Sequence, residues 1–259
     1  MQAVDYYRRR REAYAYLLAG FPRPANCERT LIFGQGRSGS TLLESLLAST
    51  GHFVPQGEVF GAKGRKILYP ERYLRGQSSR WPDKNFLCHV KIHHLVCRQR
   101  PVEPRPFLQR LSNDGWRIIF LERHDRVRQA LSFLVAEIRG EYHKRDDRPE
   151  TISVQVSRER LEALVNRGTV QANEERRALL GIDYQAVVYE RDLEDASKHQ
   201  RTIDGVLDFL ELPRRPASTS MRKVITQPLH EVIVNYDEFA AWVTEMGLEA
   251  SLRDDQDHA

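Results

Sequence analysis

The segment "TLIFGQGRSGSTLLESLLAST" at residues 30–50 constrains the fold more than any other part of the chain. A short apolar run, "TLIF", is followed by three glycines within six residues and then by leucines at helical spacing, with Gly51 just past them. This order predicts a buried strand, a glycine loop and a helix. The N–H groups of such a loop and of the first helical turn form a site for phosphate-like anions.

The remaining chain repeats the alternation of strands and helices. We predict further strands at 86–92, 116–121 and 185–190, and helices at 5–19, 127–138, 153–180 and 195–211. Alternating strands and helices imply a central parallel sheet covered by helices on both faces, a three-layer α/β fold. We predict one domain over 1–259, with an N-terminal helix within 1–28, a C-terminal segment at 220–250 and a frayed tail at 251–259.

Composition narrows the function only a little. The 259 residues carry a net charge of +4, which suits an anionic ligand but falls short of a nucleic-acid-binding signature. We interpret "RRRR" at 8–11 as a solvated face. The chain has no run of 18 apolar residues, so we expect a cytoplasmic protein without a transmembrane segment.

Cysteine and histidine do not indicate a metal site. The three cysteines lack a CxxC pair and are most simply reduced core thiols. In "CHVKIHH", the strand alternation places His89 and His93 on the same face as Lys91, a poor neighbour for a metal cation. We therefore expect no metal.

The glycine loop fits two phosphate-binding patterns incompletely. Gly34, Gly36 and Gly39 spell GxGxxG, but Pro55 and Gly57 predict a turn before Glu58, where a dinucleotide-binding fold needs a strand end. The same loop spells GxxxxG, yet Ser40 stands where a P-loop carries lysine. The basic residue instead lies inside the loop, at Arg37.

"GQGRSGSTLLESLLASTG" closely resembles the 5′-phosphosulfate loop of PAPS-dependent sulfotransferases, particularly the bacterial carbohydrate type that includes trehalose and nodulation-factor sulfotransferases. The resemblance implies a P-loop-kinase-like fold and no metal. It also implies that the loop holds the 5′-phosphate and sulfuryl group of PAPS (3′-phosphoadenosine 5′-phosphosulfate). The residues concerned are Gly36, Arg37, Ser38, Gly39, Ser40 and Thr41.

A second motif of the family has a counterpart in "RIIFLERHDRVRQALSF". In the family, an Arg at a strand end and a Ser in the next helix bind the 3′-phosphate, and Arg123 and Ser132 match them. An arginine fork suits a phosphate geometrically. His124 is the alternative on the strand side, and a purely structural pairing of Arg123 with Asp125 is open as well. By the same resemblance, Arg222 and Lys223 contact the 3′-phosphate.

The resemblance also supplies candidates for the chemistry. Glu58 matches the family's glutamate and is the predicted general base, the alternative being a carboxylate near the start of a helix beginning at Val59. Lys91 matches a strand lysine of the family, and if it faces the cleft it is predicted to stabilise the departing phosphate or orient the acceptor; alternatively it is a surface lysine of an edge strand. His93 is the third, weaker candidate.

These observations together predict an enzyme that moves a sulfuryl group from PAPS to a hydroxyl of a carbohydrate or small natural product and releases PAP. Two alternatives stay open: a P-loop-type small-molecule kinase, and a non-enzymatic anion or nucleic-acid binder that uses 8–11. We expect no nucleic-acid partner under the main interpretation, and a homodimer stays open. The polar segment 139–150 is either a lid or a plain surface loop.

Overall fold

The computed structural model describes residues 2–21, 27–61, 67–98, 102–139, 153–221 and 227–253. The chain divides into two compact units, and each is described by itself. The first contains Met1–Glu122 and Asn173–Thr219, and the second contains Arg123–Ala172 and Ser220–Ala259. The single sulfotransferase domain over 1–259 stays a prediction.

The first unit is built on a sheet of five parallel strands. In chain order these are β1 (Arg29–Gly34), β2 (Phe53–Glu58), β3 (Asn85–Lys91), β4 (Trp116–Glu122) and β5 (Tyr184–Val188). Their order across the sheet is β2-β3-β1-β4-β5. The central strands are apolar on both faces because both faces are covered, which is why they read as continuous hydrophobic runs.

The α-helices of the described residues are α1 (Gln2–Leu18), α2 (Ser40–Ser49), α3 (Pro70–Ser79), α4 (Pro104–Asn113), α5 (Arg126–Arg139), α6 (Arg158–Ala178), α7 (His199–Phe209), α8 (Leu229–Val232) and α9 (Tyr236–Glu245). One face of the sheet packs against α1, α3, α4 and the end of α6, and the other packs against α2 and α7. The predicted α/β class, a three-layer fold with a central parallel sheet flanked by helices, is confirmed.

The second unit has its own hydrophobic core. Apolar residues of α5, α6, α8 and α9 form it, together with Val154 and Val156. Val154 also makes a parallel bridge with Ile233. The region predicted as one helix at 153–180 therefore begins with an extended segment, and its helix starts at Arg158.

Strand β2 corrects the prediction of a turn at Pro55 and Gly57, because both residues lie inside this strand. Proline lacks an N–H donor, so it is tolerated in an edge strand, and β2 is at the edge of the sheet. Glu58 is the last residue of β2, and the following Val59 and Phe60 form a turn. The alternative that placed Glu58 before a helix at Val59 is therefore wrong.

The prediction that all three cysteines are core thiols is also wrong. All three are free, but only Cys88 is buried, whereas Cys97 is exposed and Cys27 is intermediate. Cys88 lies within β3, in the middle of the sheet. Burial there raises the pKa of its thiol, with the nearby Glu44 carboxylate acting in the same direction.

Candidate functional site

The predicted anion loop connects β1 to α2, as the sequence indicated. Gly34 is the last residue of β1, and a Cβ there would overlap the carbonyl oxygen of Leu121 on β4. Gly39 has φ 96°, and a Cβ there would lie 2.8 Å from Cδ2 of Tyr189. Packing therefore requires glycine at both positions, against β4 at Gly34 and against the Tyr189 ring at Gly39, and the left-handed φ is a second requirement at Gly39.

Internal hydrogen bonds hold the loop in a strained conformation. Arg37 has φ 62°, a left-handed value that is uncommon for a residue with a side chain. The Ser38 hydroxyl donates to the carbonyl oxygen of Gln35 at 2.8 Å, and the Gln35 amide donates to the buried carboxylate of Glu175 at 3.1 Å. Strain of about 1 to 3 kcal/mol at such a residue persists only where its surroundings impose it, which is common at binding sites.

The first turn of α2 completes the anion cradle. Gly39 is the residue before the helix and supplies no side-chain cap to it. Ser40 and Thr41 begin the helix, so the predicted residues Gly36 to Thr41 run from the loop directly into the first turn of α2. Unpaired N–H groups of a helical first turn favour an anion at this position.

Lys91 lies beside this cradle. Strand β3 is the neighbour of β1, and Lys91 is the register partner of Gly34. A concave space next to the loop is lined by Gly34, Gln35, Ser38, Ser40, His89 and Lys91, among others. Because β3 is an interior strand and the Lys91 side chain is only 16% exposed, the alternative of an edge-strand surface lysine is wrong.

Glu58 and Lys91 meet at the ends of adjacent strands. The Lys91 ammonium donates to Oε1 of Glu58, and Nε2 of His94 lies 3.5 Å from Oε2 of the same carboxylate. A Cβ on residue 61 would overlap this carboxylate, so Gly61 leaves space for it. The structure thus brings together the predicted base and the predicted cation.

Two opposing influences act on the Glu58 carboxyl group. Partial burial alone would raise its pKa, but the Lys91 ammonium, through its charge and its hydrogen bond, lowers it, with smaller contributions from His94 and His89. The net result is a pKa below the ordinary value for glutamate. Glu58 is therefore ionised at neutral pH and able to accept a proton.

His93 does not occupy the position that strand alternation predicted. Strand β3 ends at Lys91, and a π-helical turn spans His94–Arg98, so the alternation stops before residue 93. The ring of His93 packs against that of His94 with centroids 4.3 Å apart, and it is His94 that approaches Glu58. The catalytic role of His93 stays a prediction.

Sequence reasoning missed His94 and the buried pair of Glu44 and His89. Oε2 of Glu44 lies 3.2 Å from Nε2 of His89, and Oε1 of Glu44 accepts the N–H of Gly57 at 2.7 Å. Both side chains are buried. The sequence does contain a signal for this pair. Glu44 is a lone carboxylate within the apolar run "LLESLL", and a buried charge needs a partner.

The predicted 3′-phosphate residues belong to the second unit or lie outside the described residues. Arg123 directly follows β4, and Ser132 lies on α5, where it is buried. Arg222 and Lys223 are outside the described residues, as is nearly all of the segment 139–150. The assignment of these four residues to a 3′-phosphate stays a prediction.

The described ranges contain no group of three or more His, Cys, Asp or Glu side chains arranged to hold a metal ion. Within the same ranges, every helix is too short or too polar to cross a membrane.

Comparisons with known proteins add a likeness to solved structures. No protein-family model matches the chain, and no curated protein sequence matches it significantly. Among solved structures, a shikimate kinase from Bacteroides thetaiotaomicron is similar at 14% sequence identity and a TM-score of 0.43. The matched region covers 71% of this chain and 99% of the kinase. We draw no functional conclusion from a likeness at this level.

Proposed function

We propose that the protein transfers the sulfuryl group of PAPS to a hydroxyl of a carbohydrate or small natural product and releases PAP. One observation carries the proposal. The Lys91 ammonium stands on the strand next to a glycine loop that lacks the P-loop lysine, and it contacts Glu58 at the end of the adjacent strand β2. A cation and a base are what an in-line group transfer to a hydroxyl requires.

The loop fits the phosphosulfate end of this donor. Its glycines leave the backbone accessible, the first turn of α2 favours negative charge, and Arg37 adds a full positive charge inside the loop. Bound PAPS supplies a sulfuryl group on a phosphate leaving group. Glu58 accepts the proton of the acceptor hydroxyl while the hydroxyl oxygen bonds to sulfur and the bond between sulfur and the bridging phosphate oxygen breaks. Lys91 stabilises the negative charge left on that phosphate oxygen as PAP departs.

Recognition of the 3′-phosphate rests on the resemblance alone. Under the proposal, Arg123 and Ser132 hold this phosphate, with Arg222 and Lys223 contributing further charge. Alanine at both 123 and 132 is expected to weaken PAP binding at least tenfold, since each charged hydrogen bond contributes roughly 1.5 to 3 kcal/mol. Binding of adenosine 5′-phosphosulfate, which lacks the 3′-phosphate, should change little; an equal loss for both ligands would remove the assignment.

A P-loop-type small-molecule kinase is the second candidate. The observation in its favour is the five-stranded parallel sheet with a glycine loop between β1 and α2, an arrangement that both enzyme classes use. Thr41 also stands where a P-loop carries Ser or Thr. Ser40 in place of lysine argues for the sulfotransferase.

Ligand-induced stabilisation separates the candidates. Saturating PAP should raise the melting temperature by several degrees, since it binds only the folded protein, while ATP with Mg²⁺ and an oligonucleotide should not. Arg37→Ala should lose the PAP shift, whereas the matched control Arg214→Ala, at an exposed arginine paired with Asp208, should keep it. A shift with ATP alone would favour the kinase, and no shift with PAP would refute the sulfotransferase. Transfer from labelled PAPS to a panel of hydroxyl acceptors then identifies the acceptor class.

A further inference from the structure

Strand β2 contains one residue more than its partner at the point where it approaches the site. Pro55 pairs with Leu87 and Glu58 pairs with His89, so three steps along β2 match two along β3. Gly57 lies within this irregularity and has φ 65°. An extra residue in one strand, with a glycine in the left-handed conformation, defines a β-bulge.

The bulge decides which face of the sheet Glu58 occupies. Side chains of paired residues point to the same face, and His89 and Lys91 share one because they are two residues apart. Regular pairing after Pro55 would place Gly57 opposite His89 and would turn Glu58 to the other face. The extra residue restores Glu58 to the face of Lys91, since a slip of one residue inverts every following side chain.

Glu44 holds the bulge from the neighbouring helix. Its carboxylate accepts the Gly57 N–H through Oε1 at 2.7 Å and contacts Nε2 of His89 through Oε2 at 3.2 Å. Glu44 is 8% exposed and His89 is 4% exposed, so these contacts form away from solvent. Glu44 is on α2, the helix that begins at the glycine loop.

We propose that Glu44 is a positioning residue that ties α2 to the Gly57 bulge and so presents Glu58 to Lys91 and His94. The significance for catalysis rests on the proposed function, but the positioning itself is a property of the fold. Glu44 would thereby couple the helix of the anion loop to the strand that carries the base.

Three variants test the positioning role of Glu44 through the ionisation of Glu58. Glu44→Ala removes both the charge and the acceptor for the Gly57 N–H. Glu44→Gln removes the charge but keeps an oxygen acceptor. The matched control is Glu12→Ala. Glu12 is also a buried carboxylate and accepts the backbone N–H of Leu68 at 3.2 Å, but it lies on α1 and not on α2.

The Glu58 titration is followed by NMR in protein labelled with ¹³C at the glutamate carboxyls and is assigned with Glu58→Gln. Lys91, His94 and His89 are the charged or titratable groups that act on this carboxyl group. Glu44→Ala should shift the Glu58 midpoint upward relative to Glu44→Gln, because Glu58 moves away from Lys91. Glu12→Ala should leave the midpoint unchanged. Equal midpoints in folded Glu44→Ala and Glu44→Gln would overturn the proposal.

If Glu44→Ala does not fold, hydrogen exchange of the Gly57 amide tests the contact between Glu44 and the bulge instead. This amide should be protected in the unmodified protein and in Glu44→Gln, and rapid exchange in the unmodified protein would overturn the tether. Under the proposed function, Glu44→Ala should also lower kcat on the order of a hundredfold with little change in the KM for PAPS. Absence of PAP binding would refute the sulfotransferase while leaving the NMR and exchange results valid.

Discussion

The two ends of the same parallel sheet use charged residues in different ways. At the amino ends of β1 and β4, the carboxylate of Asp114 is held by Arg29 at 2.9 Å and by Arg75 at 2.7 Å, and Arg29 also stacks on Trp116. At the carboxyl ends of β2 and β3, Glu58 meets Lys91 and His94 beside the glycine loop. The first cluster joins elements of the scaffold, whereas the second places a carboxylate and an ammonium group next to the glycine loop.

This difference is a general consequence of parallel strands. All the carboxyl ends lie at one edge, where the loops that follow the strands converge, so ligand sites form there. The amino ends of the strands lie at the opposite edge. Structural ion pairs can join neighbouring elements there. Removing a charged residue should therefore lower activity at the edge formed by the carboxyl ends. At the edge formed by the amino ends, it should lower stability instead.

The largest effect is expected for Glu58→Gln. The amide cannot accept the proton of the acceptor hydroxyl, so transfer from PAPS should fall about 100- to 10,000-fold. PAP binding, measured by calorimetry, should persist because the loop is unchanged. Loss of PAP binding instead would show that Glu58 supports the fold of the site, and the distinction between the two edges would fail.

Lys91→Met should lower the transfer rate on the order of a hundredfold, since it removes a cation from the developing charge on the leaving phosphate. The same change should raise the Glu58 pKa, because the Lys91 ammonium is the main influence that lowers it against the opposing effect of burial. Single-turnover kinetics and the ¹³C titration measure the two effects. A reduced rate with an unchanged Glu58 titration would contradict the contact between these side chains.

Asp114→Ala tests the opposite edge of the sheet. Removing this carboxylate leaves two guanidinium groups without their shared partner, so we expect a loss of about 2 kcal/mol in the free energy of unfolding. Urea denaturation measures it, and the transfer rate of the folded variant should equal that of the unmodified protein. A large loss of activity without loss of stability would reverse the assignment of the two edges.

Acid pH should affect the site edge through Glu58. Its pKa is lowered in the folded protein, so its ionised form stabilises the fold at pH values above the ordinary glutamate pKa of about 4.3. That contribution is lost as the pH falls through the lowered pKa. Denaturation curves should therefore show Glu58→Gln less stable than the unmodified protein at pH 7, with the difference disappearing at strongly acidic pH. A constant difference at all pH values would exclude this linkage.

The smallest effect is expected for Tyr16, which lies on α1. Burial and its hydrogen bond to Glu12 raise the Tyr16 pKa from 10.0 to about 12. A raised pKa stabilises the fold below pH 10, and the contribution is lost as the pH rises through about 12. Tyr16→Phe should therefore remove one component of alkaline destabilisation, visible by circular dichroism between these pH values. An identical alkaline transition in both proteins would contradict the shift.

Local patterns predicted the loop but not the position of the base. The order of strand, glycine loop and helix at 29–49 depends on neighbouring residues, and it appears in the structure almost as expected. Pro55 and Gly57 predicted a turn, yet they lie in β2, because an edge strand tolerates proline and a bulge accommodates glycine. Strand alternation predicted His93 and not His94. It did so because it continued β3 past Lys91, where the structure has the end of the strand and a π-helical turn soon after it.

The sequence by itself determined the α/β class and the order of strand, glycine loop and helix, with Ser40 where a P-loop carries lysine and Arg37 inside the loop. These features depend on periodicity and short-range spacing, which a single sequence contains. The candidates Glu58 and Lys91 came from the resemblance of its motifs to a known family. Only the tertiary structure decided that β3 lies between β1 and β2, that Lys91 is level with Gly34, and that Glu44 fixes the bulge carrying Glu58. Strand order and register depend on contacts between residues distant in the chain, and no local pattern encodes them.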